Sequence, residues 1–113
     1  MFALLMGLKS ISPSDLQAML LNQKVSVFDV NSRQSWMQAH VPGAVNLDPV
    51  NYLDSDLPTD KSANLVFYCS NPFCRKAPNA TRRAKELGYT NAKVMSAGIS
   101  GWLSANLPTE TGA

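Results

Sequence analysis

Asn64-Leu65-Val66-Phe67-Tyr68-Cys69-Ser70-Asn71-Pro72-Phe73-Cys74-Arg75 carries an apolar run into a short polar loop and closes on an arginine. Leu65 to Tyr68 shows no polar alternation, the pattern of a strand covered on both faces in a parallel sheet. Cys69 then stands where that strand ends and a helix N-terminus points at it. Backbone N–H groups and positive partial charge converge on such a spot, which lowers a thiol pKa and binds anions. Arg75, six residues after Cys69, adds a fixed positive charge. The stretch predicts a thiolate nucleophile beside an oxyanion cradle.

Downstream of the loop, Ala77, Ala80, Ala84 and Leu87 recur at steps of three, four and three. They predict a helix stopped by Gly88. Pro78 fits if that helix begins near Arg75, because first-turn N–H groups lack intrahelical partners. Ala92 to Met95 reads as a last strand and Ile99 to Ala105 as a last short helix. Upstream, Ser12-Pro13-Ser14-Asp15 combines a capping residue, a proline at the first helical position and an acid three residues on, which opens a helix. Val25 to Val30 reads as a strand, Ser32 to Gln38 as a short helix with Trp36 and Met37 inward, and Val45 to Leu47 as an extended piece. Asp48 to Ser62 is acidic, proline-punctuated and mostly loop. Strands alternating with helices give an α/β domain with a mainly parallel sheet and its site at the strands' C-terminal ends.

The chain has 113 residues, 45% of them hydrophobic and 16% charged, which suits one domain with a single core. A net charge of +2 does not argue for nucleic acid. Arg75, Lys76, Arg82, Arg83 and Lys85, five of its ten basic side chains, gather after the loop. They steer a small anion towards Cys69 or form a solvated helix face. The two cysteines have four residues between them and cannot staple distant elements, so both are expected reduced and available. Residues 1–10 read as an N-terminal arm, packed or partner-contacting, and residues 11–110 as one domain. The apolar start lacks a charged n-region and is far below a membrane span, so a cytoplasmic protein without membrane contact is expected.

Three segments together resemble the rhodanese family. Phe28-Asp29-Val30 followed by His40-Val41-Pro42-Gly43-Ala44-Val45-Asn46 is similar to its first signature. Tyr68-Cys69 and the loop to Arg75 occupy the place of its active-site loop. Gly88-Tyr89 with Ala97-Gly98-Ile99-Ser100-Gly101-Trp102 resembles its closing signature. The resemblance implies a rhodanese-like α/β fold, a five-stranded, mainly parallel sheet flanked by helices on both faces. It also implies a sulfurtransferase that takes sulfane sulfur from thiosulfate or a similar small anionic donor. Cys69 would hold it as a persulfide, and a thiol or cyanide-like acceptor would take it, with no cofactor. By position, Ser70, Asn71, Phe73, Cys74 and Arg75 bind the anion. A monomer or a homodimer is consistent with all of this.

The loop departs from the family in length. Typical members place the basic residue five positions after the cysteine, whereas Arg75 is at the sixth, as in the related cell-cycle phosphatases and arsenate reductases. Asn31 replaces an arginine common after Asp-Val, and Ala39 a glycine before the histidine.

Sulfur transfer needs little proton chemistry, because the thiolate attacks an electrophilic sulfur and sulfite departs as an anion. His40, the single histidine, is therefore expected to support a turn, and Asp29 to organise the loop. Phosphoryl chemistry demands more inward amides and an acid for the leaving group. Pro72 removes one donor and the loop carries no acid. Cys74 is either a small inward side chain or a resolving thiol for Cys69, able to close a disulfide across the loop if the two Cα atoms come within about 7 Å. A thiol redox or persulfide switch therefore stands as an alternative, beside the oxyanion enzyme. A metal site would need two further ligands and is not expected.

Overall fold

Residues 6–112 are described in a computed structural model of the chain. Its elements follow the order α1 (Pro13–Asn22), β1 (Ser26–Asp29), α2 (Arg33–Gln38), β2 (Val45–Asn46), a 3-10 turn (Asp54–Asp56), β3 (Leu65–Tyr68), α3 (Lys76–Glu86), β4 (Ala92–Val94) and α4 (Gly98–Ser104). The strands form one sheet in the order β2-β1-β3-β4, parallel throughout.

Side chains of β3 alternate between two cores, because successive residues of a strand point to opposite faces. Leu65 and Phe67 join Phe28, Val30, Ala77, Ala80, Ala84 and Tyr89 on the α3 face. Val66 and Tyr68 join Val27, Leu16 and Trp102 on the face covered by α1 and α4. Register pairs Val27 with Val66 and Phe28 with Phe67, and the two phenylalanine rings stack with centroids 5.2 Å apart.

Local signals explain the helix ends. Ser12 Oγ accepts from Asp15 N at 3.1 Å and Ser32 Oγ from Ser35 N at 3.2 Å, capping α1 and α2. Pro78 is the third residue of α3, within the turn whose N–H groups have no intrahelical acceptor. Gly88 takes φ of 102° just past α3, a left-handed conformation that suits glycine.

The expected fifth strand is corrected to a single parallel bridge between Ser10 and Val94. Ile11 N donates to Val94 O at 2.8 Å and Val94 N to Lys9 O at 3.0 Å. Pro13 has no N–H to extend the ladder, and the cap of α1 begins at Ser12. The edge position is therefore occupied without becoming a strand. Of the N-terminal arm, Leu8 is buried and Met6 packs against the α3-side core, while residues 1–5 lie outside the described residues. Among the described residues no helix is long and apolar enough to cross a membrane.

Candidate functional site

Cys69 follows β3 directly and is 3% exposed. Its carbonyl accepts from Ile99 N at 2.9 Å, and the Ser70 carbonyl accepts from Ser100 N at 3.0 Å. The first turn of α4 thus spends its N–H groups on the backbone of the loop, as a helix start must spend them somewhere. Gly98 makes that contact possible. Its φ is 68°, and a Cβ there would lie 2.6 Å from Ser70 C and Asn71 N.

A second anchor reaches the loop from β1. Ser70 Oγ donates to Asn31 Oδ1 at 2.8 Å, and Asn31 N donates to Asp29 Oδ1 at 2.8 Å. Asn46 Nδ2 holds the Asp29 and Asn31 carbonyls at 3.1 and 2.9 Å. Asn31, where the family resemblance leads one to expect arginine, is therefore the amide that joins the β1 end to the loop. The sequence showed the departure; the use made of it appears only with Ser70 opposite.

Asp29 is fully buried and serves as the expected loop organiser. Its Oδ2 makes no hydrogen bond of ordinary geometry, although the Tyr68 hydroxyl interacts with the same carboxyl. That hydroxyl already accepts from Val41 N at 3.0 Å, so its own proton is directed to the carboxyl, the buried acceptor left over. Burial pushes the Asp29 pKa up, and the Tyr68 and Asn31 hydrogen bonds and the nearby His40 oppose that push. Burial and the Asp29 charge likewise push the Tyr68 phenol well above its ordinary range, so it stays a donor.

A carboxyl whose folded pKa is raised favours folding most below its ordinary range, and that advantage is lost as pH rises through the folded value. Asp29→Asn keeps the Oδ1 acceptor and removes the buried charge. The difference in urea midpoint between this variant and wild type is expected to move in the variant's favour between about pH 4 and about pH 7. An unchanged difference would count against a raised Asp29.

The second half of the loop folds on itself. Asn71 O accepts from Cys74 N at 3.2 Å, and Asn71 Oδ1 accepts from Phe73 N at 2.9 Å. Pro72 has no donor, and Phe73 is 70% exposed. This turn brings Cys74 back over Cys69, and the two are joined as a disulfide with Cα atoms 6.4 Å apart. The expectation of two reduced thiols is corrected accordingly, and the cross-loop disulfide expected for Cα atoms within about 7 Å is the form observed. Five positions of separation in sequence cannot reach far across the fold, yet a turn centred on Pro72–Phe73 places the Cα atoms inside the span that a disulfide bridges. Among the described residues no cysteine is free.

Arg75 is the N-cap residue of α3, and its carbonyl accepts from Asn79 N at 3.0 Å. Of the basic cluster, Arg75 and Lys76 stand at the loop end of the helix. Arg83 instead holds the Tyr52 carbonyl through Nε at 3.1 Å and Nη2 at 2.8 Å, a structural use. A cleft of about 300 Å³ opens beside the loop, lined by Asn31, Ser32, Arg33, Asn46, Asp48 and Lys76 among others. His40 stacks on Trp36 with centroids 4.4 Å apart, and its Nδ1 lies 2.7 Å from Trp36 O. Its backbone pairs with Glu110 in an antiparallel bridge. It braces the C-terminal tail, a structural role, although its partners are Trp36 and Glu110 rather than the turn at Pro42–Gly43. Among the described residues no group of three or more His, Cys, Asp or Glu side chains is placed to hold a metal ion.

A family model described as the Rhodanese-like domain matches residues 12–105. A thiosulfate:glutathione sulfurtransferase of Homo sapiens is 30% identical over 112 residues, covering 86% of this chain and 95% of that protein. An HTH-type transcriptional regulator of Mycobacterium tuberculosis is 31% identical over 108 residues and 90% of this chain. The chain spans about half of that regulator's length, 47%. Among solved structures, a Bacillus halodurans protein superimposes with a TM-score of 0.83 at 22% identity, covering 91% of this chain and 77% of that one.

Proposed function

The chain belongs to the rhodanese-like domain family, and from that premise we propose that it is a sulfurtransferase in which Cys69 carries sulfane sulfur as a persulfide. The observation that carries the reading is the placement of Cys69: a strand-end thiol on a loop backbone clamped by α4 and Asn31, leading into the N-terminus of the 11-residue α3. The thiosulfate named for the human relative is the donor proposed here, and a thiol the acceptor.

The reaction starts from the reduced chain. The Cys69 thiolate attacks the outer sulfur of thiosulfate; the new S–S bond forms as the S–S bond of the donor breaks, and sulfite leaves with the electron pair. The α3 N-terminus and Arg75 favour both the thiolate and the dianion approaching it. No general base is required once the thiol is ionised. Ser70, Asn71, Phe73 and Arg75 surround the incoming anion, and Cys74 is turned back towards Cys69 by its bond to Asn71.

The two halves of the loop bear on the choice of substrate. A phosphatase or arsenate reductase needs inward amides around a tetrahedral oxyanion. Here the Phe73 and Cys74 amides point to Asn71, and Pro72 has none, which favours sulfur transfer over that second reading.

Sulfite released from thiosulfate by reduced protein tests the proposal directly; steady hydrolysis of an aryl phosphate without sulfite release would replace it. Arg75→Ala is expected to raise KM for thiosulfate about tenfold, with a smaller change in kcat, because a charge-assisted contact to the anion is worth about 1.5 kcal/mol or more. An unaltered KM would remove Arg75 from the binding site.

A further inference from the structure

The loop that carries Cys69 holds a second thiol which sulfur transfer to an external acceptor does not use. Cys74 lies on the same turn, half-buried against the core cluster that includes Cys69. Its backbone is fixed by the bond from Cys74 N to Asn71 O, and its Cα stands 6.4 Å from that of Cys69. The pair is joined as a disulfide between an intact β3 and an intact α3.

We propose that Cys74 discharges the Cys69 persulfide as sulfide, so that the protein reduces sulfane sulfur by two electrons at the expense of a dithiol reductant. The inference rests on Cys69 being the sulfur carrier. In the discharge step the Cys74 sulfur attacks Sγ of Cys69. The Cys69–Cys74 S–S bond forms, the bond from Sγ to the outer sulfur breaks, and hydrosulfide leaves with that electron pair and the Cys74 proton. Both cysteine sulfurs are oxidised and the sulfane sulfur is reduced. A dithiol then restores the two thiols by exchange and is itself left as a disulfide. The sum is thiosulfate plus dithiol giving sulfite, hydrosulfide and a dithiol disulfide.

Proximity decides between this route and transfer to a free thiol. Oriented intramolecular reactions reach effective molarities of about 10⁵ M or more, far above any cellular thiol. A thiol held on the same turn therefore intercepts the persulfide before a diffusing acceptor does. Cys69 is 3% exposed and Cys74 half-buried, so a dithiol reductant meets the disulfide at the Cys74 sulfur.

The test is a single turnover without oxygen, on protein reduced and then freed of reductant, with thiosulfate as the probe. Sulfite, sulfide and intact mass are read together. Wild type is expected to release one sulfite and one sulfide per chain and to lose the mass of two hydrogens. Cys74→Ser and Cys74→Ala are expected to release sulfite, retain one extra sulfur atom and yield no sulfide. Wild-type protein that keeps the extra sulfur, or Cys74 variants that release sulfide like wild type, would overturn the proposal and leave Cys69 as carrier. No sulfite from wild type or either variant would overturn the carrier reading as well.

Discussion

Cys69→Ser is expected to release no sulfite from thiosulfate and to gain no sulfur, a loss of at least about a thousandfold in turnover, while remaining folded. Serine is close in size to the thiol it replaces, and the surrounding bonds run through the Cys69 carbonyl, the Ser70 side chain and the Asn71 amide oxygen. None of these needs the Cys69 sulfur. The hydroxyl is not ionised near neutral pH, so the nucleophile is lost although the helix and loop that would have activated a thiolate remain. The comparison belongs under reducing conditions, where wild type also lacks its cross-link and urea midpoints report packing alone. Persistent sulfur loading in this variant would place the carrier elsewhere.

Gly98→Ala is expected to damage the site and the fold together. At φ of 68° an alanine is strained, by about 1–2 kcal/mol. Its Cβ would also lie 2.6 Å from Ser70 C and 2.7 Å from Ser70 O, too close for any real contact. These neighbours are backbone, so relief requires α4 to retreat from the loop, breaking the bonds from Ile99 N and Ser100 N. A total destabilisation of about 2–4 kcal/mol follows from strain and overpacking combined. Sulfite release at temperatures where the variant stays folded is expected to fall at least about tenfold, because the Cys69 backbone is no longer held. A variant with wild-type midpoint and wild-type turnover would mean that the α4 contact does not position the loop.

Much of this arrangement was legible in order along the chain. The unbroken apolar Leu65–Tyr68 run announced a strand with two covered faces, and the alanine spacing after Arg75 announced α3 together with its tolerance of Pro78. Cys69 at the junction followed from both. What escaped was whatever depends on two segments meeting. Gly98 stood out only as part of a resemblance, since nothing local to it reveals that the Ser70 backbone lies against its Cα. Asn31 looked like a missing arginine rather than a partner for Ser70. The disulfide was legible as a possibility from the spacing of the cysteines, but whether the Cα atoms come close enough depended on how tightly Asn71 folds the loop. The fifth strand was lost for a local reason, a capping serine and a proline ending the edge after one bridge.

The clamp on the Cys69 and Ser70 carbonyls stops short of Asn71, and this division separates two tasks within seven residues. The segment bearing the proposed nucleophile is built into the scaffold through β3, α4 and Asn31. The segment proposed to meet substrate is a self-contained turn, organised by one asparagine. Substitutions at positions 72 and 73 are therefore expected to reshape the mouth of the site, or retune its reach towards Cys74, without disturbing the Cys69 sulfur proposed to attack. Selectivity and reactivity become independently adjustable, which gives an engineer a short and well-bounded segment in which to change one and keep the other.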